Sequence, residues 1–473
     1  MALEDVTVYP RDPSVLGPVI GSDLLADLVS AAGVTRERLD GNTIWNVNST
    51  AAGGGVAEML HSLLSYVLAA GIDTRWVVIP GDPEFFTITK RIHNGLHDSP
   101  GDGGELGPAE HSHYEQVVTP SADELANRVS PGDIVLLHDP QTAGMVPRLK
   151  ETGATVVWRS HIGYEGKAPI VERTWEFLRP YLEPADWFVF SREAYAPAYV
   201  PRDKLTVIWP SLDPFSVKNQ ELSDDVVLAI AQQAGLIQGT PETDPLFKRS
   251  DGSEGRVERK ADVVCTELPT ADDDLVIQVS RWDALKDMPG VMEGFVGRVP
   301  REIDAKLMLI GPSTAGVTDD PEGLAVYEDC VKIWNDLDAE DQARVLLVSL
   351  PMDDLEENAA MVNAIQRLAR IVVQKSIVEG FGLTVSEAMW KSRPVVASRV
   401  GGIQDQIIDG SDGILLDDPR DLAVYGDALR GLLEDPPAIV EMGSNAKQRA
   451  LHNFLGNRHL IQYAELFGML LTR

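Results

Sequence analysis

Residues 43–80 read TIWNVNSTAAGGGVAEMLHSLLSYVLAAGIDTRWVVIP. A short apolar run from Thr43 to Asn48 meets a glycine cluster at Gly53, Gly54 and Gly55. The segment VAEMLHSLLSYVLAAG then carries apolar side chains at helical spacing and stops at Gly71. RWVVIP follows as a second apolar run with β-branched residues. Strand, glycine turn, helix and strand make a βαβ unit, in which the two strands lie parallel.

The same rhythm extends outward. DIVLLHD (133–139), ATVVWRSH (154–161), WFVFS (187–191) and LTVIWP (205–210) are further apolar runs, several of them ending in polar residues. Polar residues at strand C-termini suit an open parallel sheet with its site along that edge. Upstream, residues 1–40 read as a polar lead-in with a short helix near Ser22 to Ala32. Downstream, the polar stretch TPETDPLFKRSDGSEGRVERKAD (240–262) is a surface excursion, either an ornament or a mobile flap carrying Arg256, Arg259 and Lys260. A second α/β series then begins, with DLVIQVS (274–280), AKLMLIG (305–311), ARVLLVSL (343–350), RIVVQKS (370–376) and PVVAS (394–398). A chain of 473 residues fits two domains of about 200 residues each. The expected boundaries are 1–212, 213–455 and a last helix within 456–473 that returns to the first domain.

Composition narrows the partners. The formal net charge of -32 disfavours nucleic acid and anionic lipid. Cations clustered in a motif are correspondingly informative. Two cysteines, Cys265 and Cys330, do not make a disulfide framework and read as reduced thiols. The N-terminus lacks a basic-then-apolar leader pattern, and no run approaches the roughly 18 apolar residues of a membrane span. A cytoplasmic protein is expected. His and Cys lack ligand-like spacing, so no metal is required by motif.

Four motifs carry candidate chemistry. Glycines at 53–55 let backbone N–H groups approach a phosphate at a helix N-terminus, although a tight turn would use the same residues. The turn from Ser280 to Asp287 (SRWDALKD) places Arg281 and Lys286 where they can converge on a diphosphate. Its bland alternative is surface pairing with Asp283 and Asp287. In EGFGLTVSE, Glu379 sits in a loop marked by Gly380 and Gly382, and Glu387 lies in the following helix. Together the two carboxylates can accept hydrogen bonds from sugar and ribose hydroxyls. An exposed helix residue and a solvated loop charge are the alternative. Finally, WRSHIG places His161, and HDPQ places His138, at the ends of neighbouring strands, where each is either structural or a hydroxyl partner.

The order and spacing of these motifs resemble GT-B retaining glycosyltransferases of family four. WNVNSTAAGGGVAEMLHSLL, GDPEFFTITKRIHNGL, HDPQTAG, WRSHIG and QKSIVEGFGLTVSEAMW are similar to the trehalose glycosyltransferring synthases and the retaining trehalose phosphorylases. The resemblance spans roughly residues 42–460. It implies an α/β chain of two Rossmann-like domains with parallel sheets facing across a cleft. It implies Gly54 and Gly55 against the donor diphosphate, and Arg281 and Lys286 neutralising the departing nucleotide. It implies Glu379 on the donor glucose, Glu387 on the ribose and backbone N–H groups around Gly380, Phe381 and Gly382 beside them. His161 would contact the donor sugar, and His138, Asp139 and Gln141 would face the acceptor. The implied reaction is reversible, retaining transfer of glucose from a nucleoside-diphosphate glucose to glucose, giving trehalose. The donor base (UDP, ADP or GDP) stays open. So do phosphorolysis, another soluble acceptor and sugar-nucleotide binding without turnover. No tightly bound cofactor and no membrane or nucleic-acid partner is implied, and homodimer formation is left open.

Overall fold

The computed structural model describes residues 2–51, 55–314 and 321–472, so Gly53 and Gly54 of the glycine cluster lie outside the described residues. The chain divides into two units, Met1–Ser211 with Phe454–Arg473, and Leu212–Asn453.

The first unit is built on seven strands: β1 (Glu4–Asp5), β2 (Ile44–Asn48), β3 (Thr74–Val78), β4 (Ile134–His138), β5 (Thr155–Ser160), β6 (Trp187–Phe190) and β7 (Leu205–Val207). Their order is β1-β3-β2-β4-β5-β6-β7. All pairings are parallel except β1 on β3, which is antiparallel and corrects the expectation of a purely parallel sheet. The strands are apolar because both faces are covered. Trp158, Phe190 and Tyr114 fill one side. Leu136, Val157 and Val189 on the other meet Tyr463, Leu466, Phe467 and Leu470 of the C-terminal helix (Gly456–Leu470). Each such side chain contributes about 1.5–3 kcal/mol on burial, which fixes that helix to this sheet.

The lead-in departs from expectation. A helix spans Gly17–Leu39, bent at Gly21, in place of a short one near Ser22. Its Leu, Val, Ile and Ala residues, broken up by Ser, Gly and Asp, keep the mean hydropathy high, and Pro13–Leu39 has the length and composition of a membrane span. The expectation of no such run is corrected to that extent. Ala32 and Leu39 pack with the C-terminal helix.

The second unit begins with a helix, Asp224–Gln233, followed by an antiparallel hairpin, β8 (Leu246–Lys248) and β9 (Glu254–Arg256). It then forms β10 (Asp262–Val264), β11 (Asp274–Val279), β12 (Ala305–Pro312), β13 (Val345–Leu350), β14 (Ile371–Gln374), β15 (Val395–Ser398) and β16 (Ile414–Leu416). The order is β10-β13-β12-β11-β14-β15-β16, with only β10 antiparallel. The polar excursion is fastened to its own unit and is not a free flap. Arg249 meets Asp354 at 2.7 Å and Glu356 at 2.9 Å, Arg256 meets Asp244 at 2.7 Å, and Arg259 pairs with the buried Glu357.

Each sheet has a point where strand order reverses, between β2 and β4 in the first and between β11 and β14 in the second. Open α/β sheets bind ligands outside the strand C-termini at such points.

Candidate functional site

In the second unit the reversal joins two of the sequence motifs. Gln278 near the end of β11 is fully buried. Its amide donates to the Lys286 carbonyl (2.8 Å) and accepts from the Lys375 N–H just after β14 (3.1 Å). The Ile377 N–H donates to the Leu285 carbonyl at 2.8 Å. These bonds lay the 281–287 turn against the loop after β14. Lys286 Nζ consequently donates to Glu379 Oε2 at 2.5 Å, with both side chains only 14% exposed. Ser376 Oγ (3.2 Å) and Gln374 Nε2 (3.4 Å) donate to the same oxygen.

Arg281 lies on the same turn but is not drawn to Glu379. Its side chain is 63% exposed and bonds Asp283 at 3.2 Å, the surface pairing that the turn also allowed. The reason is local. Trp282 is buried and anchored through its indole N–H to the Pro312 carbonyl (2.9 Å), while the Asp283 carboxylate accepts the Leu285 N–H.

The glycines after Glu379 are needed by geometry. Gly382 has φ +79°, and a Cβ there would lie 3.1 Å from Ile403 Cγ1 and 3.2 Å from Glu379 Cγ. It opens the helix Leu383–Trp390. Phe381 is buried, and its carbonyl accepts from Gln406 Nε2 at 2.5 Å. Glu387, in that helix, is only 8% exposed, which rules out a solvated helix charge. Lys218 Nζ stands 3.6 Å from its carboxylate. Lys391 beneath it donates to Asn219 Oδ1 (3.0 Å) and to the Glu387 carbonyl (3.2 Å), and burial pushes this ammonium down to about 7.

In the first unit, β4 and β5 end side by side, with His138 in register with Arg159. His138 Nδ1 and His161 Nε2 are 3.0 Å apart, and the rings are nearly parallel. His138 is 1% exposed, so the expectation that its own side chain faces the acceptor is corrected. Side chains alternate along a strand, and His138 shares the covered face of Ile134 and Leu136. Asp139, at φ +63°, accepts the His161 backbone N–H at 2.8 Å. Burial pushes the Asp139 carboxyl up to about 7. The partly buried Gln141 lies in the short helix Asp139–Thr142 that follows.

Sequence reasoning missed the polar group underneath. Arg159 is fully buried and donates to Tyr463 Oη (2.5 Å), His459 Nε2 (3.1 Å) and the Ile208 carbonyl (3.3 Å). His459 Nδ1 is 3.0 Å from Ser211 Oγ. Burial first, then Arg159, push His138 down to about 3 and hold His161 and His459 well below the usual histidine range. All three imidazoles are neutral at neutral pH. An arginine inside an apolar strand was the signal, because a buried charge needs partners.

Among the described residues no group of three or more His, Cys, Asp or Glu is arranged to hold a metal. Both cysteines are free thiols.

Two family models match the chain. The trehalose synthase N-terminal domain covers residues 46–197, and group 1 glycosyl transferases cover residues 270–449. The trehalose synthase of Thermococcus litoralis is 34% identical over 453 residues, 95% of each chain. The trehalose phosphorylase of Pleurotus sajor-caju is 28% identical over 412 residues, 80% of this chain and 51% of that one. Among solved structures, "Trehalose-6-phosphate from E. coli bound with UDP-2-fluoro glucose" superposes with a TM-score of 0.66 at 14% identity, covering 91% of this chain and 99% of that one.

Proposed function

Because the chain belongs to the trehalose synthase family of glycosyltransferases and has the GT-B fold, we propose that it transfers glucose reversibly from a nucleoside-diphosphate glucose to glucose, with retention, giving trehalose. The observation that carries this reading is the second unit's pair of sheltered carboxylates, Glu379 beside Lys286 and Glu387 beside Lys218. In either reaction Lys286 can serve a phosphate and Glu379 the transferred glucose. A nucleotide also brings a ribose, whose hydroxyls give Glu387 a partner. The supporting relatives point the same way. The synthase matches along nearly its whole length, whereas the chain spans about half of the phosphorylase.

The chemistry needs no protein nucleophile. The acceptor hydroxyl attacks the anomeric carbon on the face that the diphosphate leaves. The new C–O bond forms as the bond to the phosphate oxygen breaks, and a leaving phosphate oxygen takes the acceptor's proton. Lys286 stabilises the charge that develops on the diphosphate, assisted by Arg281. Glu379 accepts hydrogen bonds from glucose hydroxyls. His161 contacts the sugar, and Asp139 and Gln141 serve the acceptor. Binding and orientation supply the rest of the rate.

The test is product analysis by NMR. The protein is incubated with glucose and, separately, UDP-, ADP- and GDP-glucose, beside a tube of trehalose and phosphate. Trehalose in a nucleotide tube supports the reading and names the donor. Glucose phosphate appearing only from trehalose and phosphate overturns it in favour of a phosphorylase. No product in any tube moves the reading to another acceptor or to binding without turnover.

A further inference from the structure

His138 ends β4 among apolar neighbours, and among the described residues its ring bonds the ring of His161 through Nδ1. Its other nitrogen, Nε2, is buried and bonds no protein group among the described residues. The ring borders a cavity of about 50 Å³, shared with Arg159 and His459. Arg159 is the register partner of His138 on the neighbouring strand, so both side chains stand on one face of the sheet. The Arg159 Nε–H likewise has no protein acceptor among the described residues.

Between two ring nitrogens 3.0 Å apart on neutral imidazoles there is room for one proton, and its owner fixes both tautomers. If His161 Nε2 holds it, the proton of His138 must sit on Nε2. That buries an unpartnered N–H beside a permanent guanidinium cation. If His138 Nδ1 holds it, Nε2 is a bare lone pair on the side of that cation, where a negative potential is favoured. Orphaned buried N–H groups are the rarer defect. The second arrangement is therefore preferred, and it makes His161 Nε2 an acceptor and puts the His161 proton on Nδ1. Nδ1 is also the His161 ring nitrogen without a protein partner among the described residues.

We propose that His138 is a positioning residue: it donates from Nδ1 to His161 Nε2 and so presents His161 to the bound sugar as an Nδ1–H donor, with Arg159 beneath holding the tautomer. The proposal rests on the reading that His161 touches sugar, but its first test does not. It deepens that reading by stating which atom is offered and in which protonation state. A donor suits a sugar oxygen that acts as acceptor, such as the ring oxygen or a hydroxyl oxygen.

The full-length protein labelled with 15N-histidine is observed by 15N NMR at neutral pH, and His161→Ala assigns the His161 signals. In the wild type, His161 should show a protonated Nδ1 and a bare Nε2, and His138 a protonated Nδ1. A His161 proton on Nε2 overturns the proposal without any activity measurement. In His138→Leu, His161 should lose this fixed pattern and populate Nε2–H. In His138→Asn, whose amide N–H can donate from the Nδ1 position, the pattern should return. An unchanged His161 spectrum in His138→Leu also overturns it. Turnover provides the second arm. The kcat/KM of His138→Leu should fall no further than that of His161→Ala, and the double variant should match His161→Ala. Losses that multiply in the double variant refute action through His161. Full activity of His161→Ala would instead refute the sugar-contact role of His161 and leave the tautomer decided by the spectra.

Discussion

Replacing Glu379 with Gln should tighten the binding of free nucleoside diphosphate while slowing turnover. In the resting protein Lys286 and Glu379 hold each other at 2.5 Å, largely out of solvent. A diphosphate must take Lys286 away from that carboxylate. Two unit charges about 4 Å apart attract by about 4 kcal/mol at an effective dielectric of 20. Only part of this separates the variant from the wild type, because the amide carbonyl still accepts a hydrogen bond from Lys286 and the ligand's own charge replaces the lost one. A net gain of about 1–2 kcal/mol remains, a factor of about 5–30 in affinity. Removing a negative charge beside the phosphates acts in the same direction. Turnover should move oppositely, since hydrogen bonds to a charged acceptor are roughly twice as strong as those to a neutral one, and Glu379 is assigned to the transferring glucose. Isothermal titration calorimetry with UDP, ADP and GDP measures the first effect, and initial rates measure the second. The pair is sheltered, so the gain should survive moderate salt. An affinity equal to or weaker than that of the wild type would refute the idea that the diphosphate competes with Glu379 for Lys286.

Three further outcomes follow from the geometry. The Asp139 carboxyl, raised to about 7 by burial, binds its proton more tightly folded than unfolded, so this group makes stability fall as pH climbs from about 4 to about 7 and adds no slope above that. Asp139→Asn tolerates the same positive φ and should remove this slope in urea titrations across pH, whereas parallel profiles would refute it. Gly382→Ala combines left-handed backbone with a Cβ pressed on Glu379. It should cost about 1–2 kcal/mol of stability and lower kcat/KM at least as much as thermal stability suggests, read by melting and initial rates. Arg259→Ala leaves the buried Glu357, among the described residues, with its backbone donors, Glu258 and Arg259 N–H. The loss should be about 1–2 kcal/mol in denaturant melts, and an unchanged melting midpoint would refute the pairing.

The central strands were legible because a parallel strand covered on both faces must be apolar along its length, as IVLL (134–137) and VLLV (345–348) are. What escaped were the edges. β1, β10 and β16 are two or three residues long, and an edge strand that pairs with a distant neighbour leaves no periodic trace. The site was half legible for the same reason. Lys286 and Glu379 sit at strand ends where a reversal of strand order brings motifs together, and the sequence marks both. Glu387 was ambiguous on spacing alone, yet its helix, LTVSEAMW, is buried along most of its length, and such a helix has no face on which to leave a charge in water. His138 could have been placed by counting in twos from Ile134. The partners of Arg159 could not, since His459 and Tyr463 lie 300 and 304 positions away.

The two units carry opposite electrostatic designs, and the division follows from what each is proposed to bind. In the first, His138, His161 and His459 are held uncharged by burial above a fixed guanidinium, and Asp139 titrates near neutrality. Such a setting, presented outward through His161 and Asp139, offers hydrogen bonds of defined direction with little net field, which suits the uncharged sugar of the proposed function. In the second, Lys286 and Lys218 each stand against a sheltered carboxylate. That surface suits a ligand that is itself charged and brings hydroxyls, because the phosphates can take the cation and the hydroxyls the carboxylate. On the proposed function, this exchange would let a chain of net charge -32 admit an anion. Each cation is neutralised by its carboxylate in the resting protein. On the proposed function, a nucleotide also brings a ribose for Glu387, a partner that inorganic phosphate does not carry.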